Sequence, residues 1–299
     1  MNLKERKSIP IFLLFTVALI WGSTFAIMKD SLNRIDVNSF LAWRFLIAAL
    51  IMLILRPKSL RQMSPDFLLK GVALGLFLGS GYIFQTFGLT LTTVAKTGFI
   101  TGLYAIFTPL LAASFFKHRI SRIQWFAVGL ATIGMAILSL KGFSIGLGEF
   151  LVLISAVLFA AHIIGLSYWS PNRDSYALAL VQMATVGLLA LICSFKSGFH
   201  APHDHGVWVA VLYSAIAASA FAFIIQTWTQ SFMSATSVGI ILTVEYIFAA
   251  IFGVILVHEH VTWRTLVGGV AMMIGLYLVI WYDDRSGFSQ SGVHEKIES

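Results

Sequence analysis

Charge is what this sequence has least of. Only 11% of its 299 residues are Asp, Glu, Lys or Arg, against about 25% in an ordinary soluble domain. So few charges cannot cover the surface of a chain that is 58% hydrophobic, and the mean hydropathy of +0.88 agrees. A soluble cytosolic enzyme and a disordered protein are both excluded. Cysteine is nearly absent as well: Cys193 stands alone, so there is no intrachain disulfide and no multi-thiolate metal site. No Walker-type loop is present to cradle ATP, and no His-Glu-x-x-His pair or Ser/Lys dyad marks an intramembrane enzyme. No cofactor is called for. The net charge of +7 does not point to nucleic acid, because the basic residues are scattered through short loops. What remains is a polytopic membrane protein whose first partner is the lipid bilayer.

A bilayer core about 30 Å thick takes about 20 residues of helix. Ten apolar spans of that order are present, at 11–28, 39–55, 68–89, 97–115, 122–140, 148–167, 176–193, 207–227, 236–256 and 263–282. Turn and charge signals separate them, among them Arg56-Pro57-Lys58, Lys117-His118-Arg119, Lys141-Gly142 and Ser170-Pro171-Asn172-Arg173-Asp174. Period-2 alternation is missing, which argues against a barrel. The expected fold is therefore all-α with ten transmembrane helices. Lys4, Arg6 and Lys7 resemble a signal-peptide n-region, but the apolar stretch is long and no small-x-small cleavage site follows it, so it reads as a retained helix. With the N-terminus inside, 13 Lys and Arg fall on the inner side and 6 on the outer. The positive-inside rule then places both termini in the cytoplasm.

The two halves align with each other. A shift of 138 residues puts Trp21 on Phe159, Thr24 on His162 and Arg44 on Gln182; farther on the shift is 141. Gln85-Thr86 then falls on Gln226-Thr227, Gly98 on Gly239, Tyr104 on Glu245, Ile106-Phe107 on Ile247-Phe248 and Gly134 on Gly275. The repeats are expected at 1–141 and 142–285, followed by a polar cytoplasmic tail at 286–299. Five helices is an odd number, so the halves must be inverted relative to each other. The loops agree: basic Lys117-His118-Arg119 has the counterpart His258-Glu259-His260, which the topology puts outside. Inverted repeats suit a cavity that opens to either side in turn.

Several motifs carry a family resemblance. They are Trp21-Gly22-Ser23-Thr24-Phe25, Arg44-Phe45-Leu46-Ile47-Ala48-Ala49, Gly98-Phe99-Ile100-Thr101-Gly102-Leu103-Tyr104 with Pro109-Leu110-Leu111, and Glu245-Tyr246-Ile247-Phe248-Ala249-Ala250 before His258-Glu259-His260-Val261-Thr262. On these the chain resembles the drug/metabolite transporter superfamily, in particular its EamA-type ten-helix exporters, over most of residues 11–282. The resemblance implies a basket of ten helices in the inner membrane, with a central cavity lined mainly by spans one, three, four, six, eight and nine. Glu245-Tyr246 stands where that family usually has Glu-Pro.

One acid falls in mid-span: Glu245. Placing a charge there costs about 2.5–3.5 kcal/mol on insertion scales, so it is expected to face a cavity and to bind a proton or a substrate amine. The alternative is a protonated carboxyl that bonds a neighbouring helix. Thr97, Thr101, Tyr104 and Thr108 share one helical face, either toward water and substrate or bonded to their own backbone. Pro109 is expected to kink that helix by freeing the Ala105 carbonyl. Gln85, with Tyr82 on its face, and Gln226 must find a ligand, water or another helix. Trp21 and Thr24 share a face, as do Ser155, Phe159 and His162. His162 can titrate or simply hydrogen-bond. Arg44 is read as a snorkelling structural or gating residue. His200, His203, Asp204 and His205 read as a solvated loop rather than a metal clip.

The reading that follows is a secondary transporter, an exporter of a small-molecule substrate such as an amino acid or amphipathic compound, with a proton as candidate coupling ion. The alternative is a membrane receptor or scaffold that moves nothing. Substrate, direction, coupling ion and oligomeric state stay open at this point.

Overall fold

The computed structural model describes residues 3–116, 122–139, 145–233 and 235–285. The Lys117-His118-Arg119 loop, Lys141 and the tail 286–299 lie outside the described residues. Every regular element among the described residues is helical. Among the described residues seven stretches are long and apolar enough to cross a membrane: Ile9–Ser31, Val37–Leu55, Pro65–Leu91, Val94–Ala112, Leu147–Trp169, Ser175–Ser194 and His205–Gln230. Large apolar side chains cover the outside, and the apolar core also encloses strongly polar groups. Phe12, Ile54, Leu69 and Ile192 are at least 63% exposed, while Arg44, Gln85, His162, Gln182 and Gln226 are buried. That distribution fits a lipid surround, where only internal partners can satisfy polar groups.

The helices are α1 (Leu3–Ser31), α2 (Val37–Leu55), α3 (Pro65–Leu91), α4 (Val94–Thr101), α5 (Tyr104–Phe116), α6 (Arg122–Ser139) and α7 (Leu147–Trp169). They continue with α8 (Ser175–Ser194), α9 (His205–Ala215), α10 (Ala222–Gln230), α11 (Ala235–Leu242), α12 (Glu245–Val257) and α13 (Trp263–Arg285). A π-helical turn, Ile216–Phe221, joins α9 to α10. Helix starts are set by side chains that accept orphan N–H groups. Asp36 caps α2 through Ser39, Ser64 caps α3 through Phe67, Asp174 caps α8 through Ala177 and Asp204 caps α9 through Val207.

Packing partners come in matched sets. The second helices of the halves, α2 and α8, lie together, as do the last ones, α6 and α13. Helix α1 packs on α12, and α7 packs on α4 and α5; α3 packs on α7, and α9 and α10 pack on α1.

Two expected spans are broken rather than continuous. The fourth divides into α4 and α5 at Gly102-Leu103, and the ninth into α11 and α12 at Thr243-Val244. The bonding is the same at both places. Leu103 N–H donates to Ile100 O and Ala105 N–H to Gly102 O; Val244 N–H donates to Ile241 O and Tyr246 N–H to Thr243 O. These i→i+3 bonds tighten the chain locally in the 3₁₀ manner. The break therefore precedes Tyr104 and does not fall at Pro109, which α5 passes. There the Thr108 hydroxyl donates to Tyr104 O at 2.7 Å and ties the turn across that region. Glu245 accordingly opens a half-helix instead of standing in the middle of a long one.

One end of the bundle is tied by charged groups. Glu259 accepts from the N–H groups of Val94 (2.6 Å) and Ala95 (3.2 Å) at the start of α4. Lys96 meets Glu149 at 2.8 Å, and Lys29 donates to the carbonyls of Leu89 and Thr92. Outside the spans, Asp204 pairs with Arg34 at 2.6 Å. Its carboxyl is held below the usual range, first by the Val207 N–H and then by the Arg34 guanidinium. Among the described residues no group of three His, Cys, Asp or Glu side chains forms a metal cage.

Candidate functional site

A cavity with an empty volume of about 550 Å³, its mouth included, lies between the helices. It is lined by α1, α3, α4, α5, α7, α10, α11 and α12, with one residue, Arg44, from α2. In terms of expected spans these are one, three, four, six, eight and nine, plus the second.

Nine of the candidates singled out from the sequence for substrate or proton binding lie on this wall. Helix α1 contributes Trp21 and Thr24, and α3 contributes Tyr82 and Gln85. Thr101 ends α4, Tyr104 begins α5, and Glu245 begins α12. His162 comes from α7 and Gln226 from α10. The paired breaks thus bring Tyr104 and Glu245 to the same cavity as the first residues of their half-helices. Glu245 is only 4% exposed. A negative charge at the first turn of α12 gains about 0.3–1 kcal/mol from the helix dipole. That offsets only part of the insertion cost of about 2.5–3.5 kcal/mol. Among the described residues no Lys, Arg or His lies within 4.0 Å of its carboxylate.

The polar groups differ in how they are engaged. Gln85 Nε2 donates to Thr101 Oγ1 at 3.0 Å, so this amide has an interhelical partner. Gln226 Oε1 is buried and has no partner among the described residues. His162 Nε2 meets Gln182 Oε1 at 2.7 Å and is fixed by it. Thr24 bonds its own helix through Ile20 O at 2.7 Å, and Thr97 does the same through Thr93 O at 2.8 Å. Of the hydroxyl stripe, Thr101 and Tyr104 reach the cavity, whereas Thr97 and Thr108 serve their own backbone. Trp21 Nε1 donates to Ala218 O in the π turn at 2.8 Å. Aromatic rings join across the wall, Trp21 to Phe223 and Tyr82 to Phe159, each at 5.3 Å between centroids.

Arg44 departs from expectation. It does not snorkel: it is 2% exposed and among the largest fully buried side chains. Its Nε donates to Ser219 Oγ at 2.8 Å and its Nη2 to Ala218 O at 3.3 Å. The guanidinium also stands 4.8 Å from the ring centroids of both Phe45 and Tyr82. Protein partners on the inner face hold it better than the interface would, because α2 turns this side toward the π turn. A lone Arg in an apolar span was the signal. Its repeat partner Gln182, which holds His162, gave a second hint.

Comparison with known proteins agrees with this architecture. The profile of the EamA-like transporter family matches twice, over residues 8–140 and 146–281. The chain belongs to the EamA-like transporter family. This EamA-like transporter is 30% identical, over 88% of its length and 83% of the relative's, to an uncharacterized transporter of Archaeoglobus fulgidus. It is 26% identical to a probable amino-acid metabolite efflux pump of Salmonella typhimurium, over 90% and 94% of the two chains. One crystal structure superposes with a TM-score of 0.70 at 17% identity, covering 93% of this chain and 98% of that one. The protein is a multi-pass membrane transporter of EamA type.

The two glutamines of this EamA-like transporter allow a direct probe of the cavity. In a Cys193→Ser background, a cysteine at 85 or at 226 is expected to react with a small water-soluble thiol reagent. Lack of reaction at both positions in every condition would make them packing residues and remove them from the cavity wall.

Proposed function

We propose that this transporter works by alternating access around the central cavity. It exports small metabolites such as amino acids or amphipathic compounds, and Glu245 exchanges a proton or holds a substrate amine. The observation that carries the reading is the pair of matched helix breaks. They deliver a hydroxyl, Tyr104, and an acid, Glu245, from repeat-equivalent positions to one cavity. Broken helices whose half-helix ends face a shared site are how transporters present polar groups inside a membrane. The aromatic wall suits an apolar substrate body. The relative from Salmonella typhimurium, named a probable amino-acid metabolite efflux pump, supports the substrate class.

The same reading holds that ten spans form two inverted five-helix repeats, 1–141 and 142–285, in the inner membrane. Both termini, with the tail 286–299, are cytoplasmic. The matched packing sets support it, since α1 on α12 is answered by α7 on α5, and α3 on α7 by α10 on α1. Purified protein in vesicles with an imposed pH gradient is expected to move a small amine- or amino-acid-type solute against an otherwise flat background. No flux of any such solute would leave the receptor or scaffold reading. For the topology, a reporter active only in the periplasm, fused to residue 299, is expected to stay silent. Strong activity there would invert the orientation.

A further inference from the structure

The tied end of the bundle joins two half-helices along their length. Helices α4 and α12 both run from a break at the cavity, where Thr101 and Glu245 stand, to the end expected to face outward. Small residues let their backbones approach closely. A β-carbon on Gly98 would stand 2.6 Å from Ala249 Cβ, and one on Gly253 would stand 3.3 Å from Val94 Cβ. At the cavity end the Tyr246 ring lies over Gly102, between α4 and α5. The two half-helices therefore wall the cavity off on this side.

Glu259 fastens that wall at its far end. His258 closes α12 in the left-handed conformation, with φ at 56°. The Glu259 N–H then donates back to Gly253 O at 3.0 Å, a reversal of the Schellman kind. It carries the Glu259 side chain across to α4. There the two carboxylate oxygens accept the N–H groups of Val94 and Ala95, which a first helical turn leaves without intrahelical partners. The Lys29 ammonium attracts the same carboxylate and bonds the carbonyls of Leu89 and Thr92 just before α4. The other half of the chain lacks this fastener. The repeat counterpart of Glu259 is His118, and an imidazole has no second oxygen with which to accept two N–H bonds. Gly239, the counterpart of Gly98, has nothing within 4 Å of its β position among the described residues.

We propose that Glu259 is the latch of a gate formed by α4 and α12. The cavity reaches this end of the bundle only when the carboxylate lets go of Val94 and Ala95. The proposal rests on the transport reading above and adds to it a gating residue outside the cavity. Because only one half carries the latch, the resting protein is held shut at this end and returns to that state after each opening. The competing possibility is a permanent tie that stays closed while the protein works.

The test uses the full chain in lipid vesicles and reads accessibility apart from flux. In a Cys193→Ser background, a cysteine at 226 reports the cavity, and one at the exposed position 260 identifies the side on which the latch lies. A membrane-impermeant thiol reagent is added from that side. Glu259→Gln keeps the size but offers one oxygen to two N–H groups. Reaction at 226 is expected to quicken at least about tenfold, about 1.4 kcal/mol, the scale of one lost bond to a charged group. Glu259→Asp keeps the charge one methylene short and should fall between the two. A second arm replaces the latch with a covalent one, Val94→Cys with Gly253→Cys. Their β-carbons would stand 3.3 Å apart, close to the range of about 3.5–4.5 Å for a disulfide. Oxidation, confirmed by loss of free thiols, is expected to stop phenylalanine flux, and a reductant to restore it. Unchanged reaction at 226 in Glu259→Gln would overturn the proposal. So would full flux through the oxidised pair, or failure of the pair to crosslink. If Glu259→Gln does not fold, the crosslinked pair still decides. A protein that moves no phenylalanine yet shows the tenfold change at 226 would keep the latch and count against the transport reading instead.

Discussion

Glu245→Gln is expected to lower transport at least about tenfold, corresponding to about 1.4 kcal/mol of lost binding or coupling, and to flatten its pH dependence. The substitution keeps the shape and removes the proton exchange. Folding should survive, because a neutral amide is cheaper in a bilayer than a charge. Glu245→Asp should retain part of the activity, since the carboxyl stays at the first turn of α12 but sits one methylene short of the cavity. Flux into or out of proteoliposomes under an imposed pH gradient, at matched protein amounts, measures all three. Wild-type rates with wild-type pH dependence in Glu245→Gln would reduce the residue to a packing role.

Gly22→Ala is expected to destabilise the protein by about 1–3 kcal/mol, the usual range for forcing an extra carbon into a tight contact. A β-carbon at Gly22 would stand 2.5 Å from Phe248 Cβ, 2.7 Å from Glu245 O and 2.9 Å from Ala249 N. Two of those neighbours are backbone atoms of α12, so a side-chain rotation cannot relieve the clash. Helices α1 and α12 would have to separate, as expected where a small residue permits a close crossing. Because Glu245 sits at that crossing, transport should fall along with stability. Gly98→Ala should behave similarly, since its β-carbon would meet Ala249 Cβ at 2.6 Å. Its repeat counterpart Gly239 has nothing within 4 Å among the described residues. Gly239→Ala is therefore the control, with a change within about 0.5 kcal/mol. Size-exclusion profiles after graded heating give the order; equal melting of Gly22→Ala and Gly239→Ala would refute the close crossing.

The helical architecture and the positions of the cavity residues were legible in the sequence for a simple reason. In a chain this apolar, each polar side chain within a span must be turned away from lipid, so Gln85, Thr101, His162 and Gln226 could be placed inward from composition alone. The repeat added Tyr104, which its partner Glu245 brings to the same site. The breaks before those two residues were not legible. Gly102-Leu103 and Thr243-Val244 share no residue that stops a helix, and Pro109, the obvious breaker, is passed by α5. The environment of Arg44 was not legible either. It depends on Ala218 and Ser219, about 175 positions away, and no local pattern announces a contact of that range. Snorkelling is the sound expectation for an arginine near a span end; burial needs a partner that only the tertiary fold reveals.

The π turn records a difference in length between the two halves. The caps Asp36 and Asp174 are 138 positions apart, and so are Arg44 and Gln182. The caps Ser64 and Asp204 are 140 apart, yet Gln85 and Gln226 are 141 apart. One more residue therefore lies between cap and glutamine in the second half than in the first. In an unbroken α-helix that surplus would rotate everything beyond it by about 100°, turning Gln226 off the cavity wall. Ile216–Phe221 absorbs it instead, and α10 continues in the register its counterpart keeps. The widened turn leaves the Ala218 carbonyl to accept from both Trp21 and Arg44. A single surplus amino acid, stored as a bulge, is thus what anchors the buried cation of the second helix, and a one-residue deletion there would remove the anchor while leaving Gln226 in place.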